Sequence, residues 1–214
     1  MPDLNFMTAI DAIGITDGSF DLDYGQEFTQ QAGGVVRVRD VRSPIWKASF
    51  SAPNGYLVDV EAVKALLDEL RGSVLSFYAW CPSRQYPATD PTGSIVAAST
   101  VQINGLNGSD LTRMSLKGLP AAYVLTRGDL LAFDYTATTT RRALHRVVSA
   151  TVTANGSGIT PEFVVAPPIR AGAAVNNVVN LRRAAGEFRV MPKTFRAPAS
   201  GFMASVSLDA VQVI

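Results

Sequence analysis

The chain has 214 residues, a formal net charge of +1, 47% hydrophobic and 17% charged residues, and this composition excludes an intrinsically disordered protein. One cysteine and one histidine exclude an internal disulfide and supply few ligands for a transition metal. Because no run of 18 apolar residues occurs and no basic region opens the chain, we expect no membrane insertion and no signal peptide, and folding in a cytoplasm.

The charges are distributed unevenly along the chain. Residues 1–30 contain six acidic residues and no Lys or Arg, whereas residues 111–214 contain twelve basic and five acidic residues. This asymmetry fits either a nucleic-acid surface or self-association, in which the acidic part of one copy meets the basic part of the next. Self-association is favoured over specific nucleic-acid binding, because the basic residues lie in strand-like patterns without interleaved aromatic residues.

The first part of the chain predicts an arm followed by two strands. Residues 1–33 are rich in Gly, Asp and Gln and predict an irregular, extended arm with room for a short strand. Residues 35–39 alternate Val with Arg, which predicts a half-buried strand. Residues 45–50 predict a second strand, and one of its faces is apolar. That face consists of Trp46, Ala48 and Phe50.

One helix is predicted over residues 59–71. Asp59 can cap its N-terminus, and Gly72 ends it. Its apolar stripe has the i, i+3, i+4, i+7 spacing of an amphipathic helix. The stripe consists of Val63, Leu66, Leu67 and Leu70. Residues 74–80 then predict a strand, and Arg84 and Tyr86 are expected to anchor the exit of the chain from the sheet, Tyr86 by a buried ring.

From about residue 98 the pattern changes to short strands separated by Gly and Asn. Strands are predicted at 129–135, 142–152 and 162–169, with Asn155–Gly156 as a hairpin turn. This stretch predicts a small β-barrel or sandwich of five to six strands. Asp129 stands at the start of one strand, where it can cap a turn.

The last strand, residues 202–211, alternates regularly between apolar and polar residues, which is typical of a strand paired inside a sheet. We expect it to return to the sheet around the helix. The fold class is therefore mainly β (α+β). A discontinuous α+β host domain with one helix comprises residues 1–97 and 194–214, and an inserted small β-barrel comprises residues 98–193.

No residue pattern predicts a catalytic, cofactor-binding or metal-binding site. His145 alternates with its neighbours on a strand and is interpreted as a packing or hydrogen-bonding residue. Cys81 has no histidine near it in sequence and is interpreted as a small buried apolar residue. We therefore expect a protein that is not an enzyme and uses no cofactor.

Several stretches in a fixed order resemble one family. They are "PIWKASF" at 44–50, "VEAVKALLDELRGSVLSFYAWCPSRQYP" at 60–87, "SLKGLPAAYVLTRGDLLAF" at 115–133, "RALHRV" at 142–147 and "PPIR" at 167–170. Together they resemble the distal tail proteins of long-tailed, siphovirus-type bacteriophages and of related prophage and gene-transfer-agent tails. The resemblance spans about residues 31–214, and residues 1–30 match less well.

The resemblance implies a non-enzymatic virion protein that is assembled in the host bacterial cytoplasm. It would form a homohexameric ring that joins the tail tube protein to the tail-tip hub or baseplate. The resemblance also implies that the discontinuous domain is a ring-forming β-sandwich or split barrel and that the inserted barrel is OB-like. The tape measure protein and peripheral tip or fibre proteins are further implied partners. Two alternatives stay open: a tail-associated hydrolase, and a carbohydrate- or host-surface-binding module. The second requires exposed aromatic residues on the barrel, for which the candidates are Tyr123, Phe133, Tyr135 and Phe163.

Overall fold

A computed structural model describes residues 5–15, 17–30, 33–136 and 138–214. The fold is mainly β, as predicted. The described residues form two α-helices and one short 3-10 helix: α1 (Asn5–Ile13), α2 (Leu57–Glu69) and η1 (Pro82–Arg84). Their strands are β1 (Asp17–Asp23), β2 (Gln26–Gln30), β3 (Val36–Asp40), β4 (Ile45–Tyr56), β5 (Phe77–Trp80), β6 (Gln102–Leu106), β7 (Arg113–Lys117), β8 (Val124–Thr126), β9 (Leu130–Thr136), β10 (Thr140–Val147), β11 (Thr151–Thr153), β12 (Phe163–Ala166), β13 (Val179–Asn180), β14 (Ala185–Val190), β15 (Ala199–Ser200) and β16 (Met203–Gln212).

The first sheet, which we call the host sheet, has the strand order β1-β4-β16-β14-β5, with β15 paired to β16. All of its pairs are antiparallel, and Leu208 on β16 lies opposite Phe50 on β4. The predicted alternation is confirmed, because every second residue of β16 from Ala204 to Ala210 is buried. These residues and Trp46 form one face of the host core, against which both helices pack.

The N-terminal segment differs from the predicted irregular arm. Residues 5–13 form α1, whose side chains Phe6, Met7 and Ile10 are fully buried. The Phe6 ring meets Phe77 edge to face, with 4.9 Å between the centroids. Residues 17–23 then form β1, an edge strand of the host sheet. The described residues therefore contain two α-helices where the sequence predicted one. The apolar residues of this nine-residue segment had been interpreted as part of an irregular arm.

Helix α2 begins at Leu57, two residues before the predicted start, and ends at Glu69. Its N-cap is Tyr56, which makes no side-chain capping bond, so Asp59 lies in the first turn and does not cap the helix. At the other end, Gly72 has a φ of 64°, a left-handed conformation that favours glycine and that ends helices.

The second sheet has the order β13-β9-β10-β12-β7-β6 and curls into a nearly closed barrel. Backbone bonds join its two ends: the Ile103 amide donates to Asn177 at 3.0 Å, and the Val179 amide donates to Val101 at 2.8 Å. The six strands outnumber the five of an OB-fold. Asn155–Gly156 forms no hairpin, since β11 pairs with β8; the Asn155 side chain instead accepts bonds from backbone amides within its own loop.

The boundary between the two sheets differs from the predicted one at residue 193. Strand β14 lies between β16 and β5 in the host sheet, so the range 98–193 includes one host strand. The barrel also contributes to the host core through Leu130, Ala132 and Leu144. The Trp46 indole N–H donates to the Leu144 carbonyl at 2.7 Å. The sequence reasoning missed β14 because its pairing is purely long-range.

Among the residues that the structure describes, no helix is long and apolar enough to cross a membrane.

Candidate functional site: an exposed ribbon and the seam beside it

Strands β2 and β3 form a two-stranded sheet of their own, which we call the ribbon. Every residue of both strands is exposed. Residues 35–39 were predicted to be half-buried, and the structure contradicts this because nothing in the described chain covers either face. An isolated two-stranded sheet is only marginally stable in water. Within the described residues, the ribbon therefore has little to stabilise it beyond its own strand pairing and the contacts at its base.

The two faces of the ribbon differ in chemistry. Phe28 lies opposite Val38, and Val36 is two residues from Val38, so the three side chains share one face. Their exposed fractions are 66%, 57% and 48% respectively. The other face carries Arg37 and Arg39. Because exposed apolar patches are often interaction sites, this face is the candidate functional surface.

Asp23 fixes the base of the ribbon to the host sheet. Its carboxylate lies 2.5 Å from Arg42 and 2.6 Å from Lys47 and accepts the Gly25 amide at 3.0 Å. The hydrogen bonds from Lys47 and Gly25, with the charges of Lys47 and Arg42, lower the pKa of Asp23 to about 2. The Val41 amide donates to Gly25 at 3.1 Å across the same base. The direction in which the ribbon leaves the sheet is thus set by charged contacts.

Four of the six acidic residues in the first thirty pair with basic residues of the same chain. Asp23 is one of them. The other pairs are Asp11 with Arg183 at 3.7 Å, Asp21 with Arg146 at 3.9 Å and Glu27 with Arg39 at 3.7 Å. Two of these pairs, those of Asp11 and Asp21, connect the acidic residues 1–30 to the basic residues 111–214 within one copy. The predicted attraction between copies therefore competes with attraction inside each copy. Asp3 and the side chain of Asp17 lie outside what the structure describes.

The outer face of the host sheet carries a group of short polar residues next to the longer Lys47. Ser49 on β4 lies between Ser19 on β1 and Asp209 on β16, and Ser51 lies opposite Ser207. The inner face of the same strands carries the core residues. The host sheet thus separates a helix-covered apolar side from a polar side with short side chains.

A cleft of about 660 Å³ lies at the seam between the host sheet and the barrel. Cys81, Ser83, Arg84 and Arg146 are among its lining residues. Cys81 is 7% exposed and belongs to the host core, with its Sγ atom 3.2 Å from the Ser83 hydroxyl. These contacts match the interpretation of Cys81 as a small buried residue.

Arg84 and Tyr86 lie where the chain leaves the host sheet, as predicted. Arg84 contacts Asp129 at 3.4 Å, and Asp129 is fully buried. Asp129 also accepts the amides of Ala88 at 2.9 Å and Thr126 at 2.7 Å, so it caps a turn and ties the exit segment to the barrel. The Tyr86 ring is half-buried where a buried ring was predicted, because the exit segment runs along the surface.

His145 lies inside the barrel. Its Nδ1 atom is 2.8 Å from the Pro167 carbonyl oxygen, and its ring stacks on Phe133 with 5.3 Å between the centroids. Burial lowers the pKa of His145 to about 4, so the ring is neutral at pH 7. Phe133 and the other three aromatic candidates for sugar binding are also buried. The barrel interior is therefore a packed core that includes one neutral imidazole.

The described residues include no group of three or more His, Cys, Asp or Glu side chains placed to hold a metal ion. No protein-family model matches the sequence, and a search of curated proteins finds no match. What the geometry brings together is a surface: an apolar ribbon beside an edge strand of a sheet with a polar outer face. The ribbon's alternating Val and Arg residues were visible in the sequence, but no sequence signal showed that both faces are uncovered.

Proposed function

We propose that the protein is a structural component of a siphovirus-type bacteriophage tail, a homohexameric ring that joins the tail tube to the tail-tip hub. The observation that carries this proposal is the ribbon, whose apolar face has no cover within the described chain. The hexamer and the two neighbouring proteins come from the family resemblance of the sequence.

The ribbon requires a partner on energetic grounds. Each apolar side chain moved from water into a contact contributes roughly 25 cal/mol per Å² of buried area. Two hydrogen-bonded strands alone do not offset the loss of backbone entropy on ordering. A neighbouring copy in a ring supplies such a contact at every ribbon.

The host sheet also suits a ring. Its edge strands are β1 and β5, and placing copies side by side can cover strand edges, which otherwise promote aggregation. Its outer face carries Ser49, Ser51 and Ser207, short polar side chains that can line a water-filled lumen. When each copy contacts the next through two different surfaces, the copies form a closed ring if successive rotations bring the last copy back to the first.

The barrel would face the periphery of the ring in this proposal. It shares core residues with the host sheet, so its position relative to the ring would be fixed. From there it could contact peripheral tip or fibre proteins. The protein would act in the virion tail after assembly in the cytoplasm of the host bacterium, without catalysis.

The alternative of a carbohydrate-binding module receives no support from the barrel. The aromatic residues that would stack on sugar rings, Tyr123, Phe133, Tyr135 and Phe163, are all at most 6% exposed. Sugar recognition needs such rings on the surface. The ring is therefore the function that the geometry supports best.

The experiment is a measurement of mass in solution, followed by electron microscopy of the purified protein. We expect a species of six times the 22.8-kDa chain mass and annular particles with a central opening. Addition of the purified tube protein should place one ring at the end of each tube. A monomer at all concentrations up to the millimolar range, without binding to tube ends, would contradict the proposal.

A further inference from the structure

The ring proposed above makes no use of the cleft at the seam between the host sheet and the barrel. The volume of this cleft, about 660 Å³, lies within the range of roughly 300–1,000 Å³ that is typical of binding sites for small organic ligands. Edge strand β1 and the short helix η1 both contribute lining residues, and the barrel contributes Gly128, Leu130 and Arg146. Three separate parts of the fold therefore converge on one space.

Part of the cleft is lined by apolar side chains that are themselves packed in the host core. Phe20, Cys81 and Leu130 line the cleft, belong to the host core and are at most 7% exposed. Because packing on their other sides holds these side chains in place, they form a fixed apolar surface. The hydrocarbon portion of a ligand could contact this surface and release water from it.

Two guanidinium groups lie at the same cleft. The Arg146 guanidinium donates to the Phe20 carbonyl at 3.0 Å and lies 4.8 Å from the centroid of the Trp46 ring. The Arg84 Nη2 atom lies 3.6 Å from the point that a Cβ atom on Gly128 would occupy. Since Phe20 and Gly128 are lining residues, these contacts place both guanidinium groups at the cleft. Both arginine side chains are half-buried.

The carboxylates beside these arginines leave most of the guanidinium N–H groups without an acceptor from the described residues. Asp129 accepts two backbone amides at 2.9 and 2.7 Å, and its contact with Arg84 is longer, at 3.4 Å. Asp21 is exposed and lies 3.9 Å from Arg146, beyond hydrogen-bond distance. A guanidinium has five N–H donors, and to the described residues each of these two makes one hydrogen bond. The other donors are available to a ligand.

Arg142, on the same strand as Arg146, shows how this fold holds an arginine whose role is structural. Its Nε and Nη2 atoms donate to the two oxygens of Asp134 at 2.7 and 3.1 Å, and its guanidinium lies 4.1 Å from the centroid of the Tyr78 ring. This is the two-bond geometry in which a guanidinium matches a carboxylate. Among the described contacts, neither Arg84 nor Arg146 has such a partner.

We infer that the seam cleft is a binding site for an organic carboxylate. The carboxylate group would accept hydrogen bonds from Arg84 and Arg146, and the apolar part of the ligand would contact Phe20 and Leu130. The exposed carboxylate of Asp21 also lines the cleft, and it opposes a doubly charged group such as phosphate more than a singly charged one. The inference does not depend on the proposed ring, because all of these residues belong to one copy.

Titration calorimetry with hexanoate tests the inference, since hexanoate combines a carboxylate with a short apolar chain. We expect a Kd of roughly 1–10 mM for the unmodified protein. Hexanamide, which has the same shape without the charge, should bind at least about tenfold more weakly. Arg84→Gln and Arg146→Gln should each weaken hexanoate binding by at least about tenfold, because each removes a charge-assisted hydrogen bond. Arg113→Gln, whose carboxylate partner Asp110 lies outside the cleft, is the control and should bind normally.

Ser83→Phe tests the site with both arginines in place. Ser83 lines the cleft and is exposed, so a phenylalanine there should narrow the cleft and should fold like the unmodified protein. We expect this variant to lose hexanoate binding as well. Melting temperatures of all variants identify any that do not fold, and Ser83→Phe keeps the inference testable if an arginine variant is among them.

A second set of titrations identifies the source of the carboxylate. The probes are a tetrapeptide of three glycines and a C-terminal leucine, with a free or an amidated C-terminus. Tighter binding of the free-acid peptide than of hexanoate would indicate the C-terminus of a protein partner, and the reverse order would indicate a small organic acid. Three results would overturn the inference: no binding of either carboxylate in the millimolar range, equal binding by the unmodified protein and all folded cleft variants, or tighter binding of phosphate than of hexanoate. None of them bears on the ring, which is tested by mass in solution.

Discussion

Helix α1 and the ribbon both lie within the first forty residues, and each has an apolar face. The face of α1, formed by Phe6, Met7 and Ile10, is fully buried in the host core. The face of the ribbon, centred on Phe28, is exposed along its whole length. One segment is completed by its own chain, and the other, in our proposal, by a second copy. An amphipathic pattern thus identifies the side chains that require burial, but not whether the same chain or another molecule buries them.

The largest expected effect compares Phe6→Ala with Phe28→Ala. Truncation of the fully buried Phe6 should lower the free energy of unfolding by about 3–5 kcal/mol. Truncation of the 66% exposed Phe28 should change it by less than about 0.5 kcal/mol when the protein is monomeric. Urea denaturation at low protein concentration measures both. Equal losses in the two variants would show that the ribbon is packed within its own chain.

The second prediction extends the comparison to the core of the barrel. We expect this core to exclude water from His145 as fully as the host core excludes water from its apolar residues. The buried ring of His145 has a pKa of about 4, against about 6.5 when unfolded. Between these values the unfolded chain binds more protons, so the free energy of unfolding should fall on acidification from pH 6.5 to pH 4. The fall is on the order of 3 kcal/mol and is fully present by about pH 4.

Denaturation at pH 7, 5.5 and 4 measures this slope, with His145→Gln as the variant that cannot titrate. The variant should be less stable at pH 7 and should lose less on acidification. Parallel slopes for the two proteins would mean that water reaches the imidazole and that the barrel core is open.

The third prediction concerns the base of the ribbon, where the packed and exposed regions join. The pKa of Asp23 is lowered to about 2, so its ion pairs are complete above about pH 3.8 and are lost as the pH falls through 2. Asp23→Asn should speed hydrogen exchange at the Val41 amide, with little effect on global unfolding.

Glu27→Gln is the control for this measurement, because its contact with Arg39 at 3.7 Å joins two exposed side chains and should contribute little. The unmodified protein should approach the exchange rate of Asp23→Asn near pH 2. If Glu27→Gln frees the Val41 amide as much as Asp23→Asn does, the base is not the point at which the ribbon is held.

The smallest effect is expected for Cys81→Ser. The serine hydroxyl can keep the contact that Cys81 makes with Ser83 at 3.2 Å, so the free energy of unfolding should fall by less than about 1 kcal/mol. Assembly into rings, measured by sedimentation, should be unchanged. Loss of assembly with the fold retained would assign the thiol a role at the seam between host sheet and barrel.

Local patterns predicted the strands and helix whose apolar residues face a core. Each of these elements has one buried face: the strand around Trp46, strand β16, and helix α2. The spacing of their apolar residues therefore identified them as strands or helix from the sequence. Helix α1 was missed although Phe6, Ile10 and Ile13 have helical spacing, because the segment is short and lies among Gly and Asp residues. Strand β14 was assigned to the barrel because strand partners distant in sequence leave no local signal.

The candidate site was only partly predictable. The alternation of Val36 and Val38 with Arg37 predicted a strand, but the same pattern describes a strand covered on one face and a strand covered on none. The proximity of the exposed residues Tyr56 and Met203 is also invisible in the sequence, since only the pairing of β4 with β16 brings them together. The anchors at the exit, Arg84 and Tyr86, were located from local sequence alone.

The hydrogen bond from the Trp46 indole to the Leu144 carbonyl has a mechanical consequence. Host sheet and barrel touch through this bond and through Leu130, Ala132 and Leu144, which lie within the host core. A force applied to the barrel is therefore transmitted into strand β4 through packed side chains as well as through the connecting backbone. Such a joint resists bending between the host sheet and the barrel more than the connecting backbone alone would.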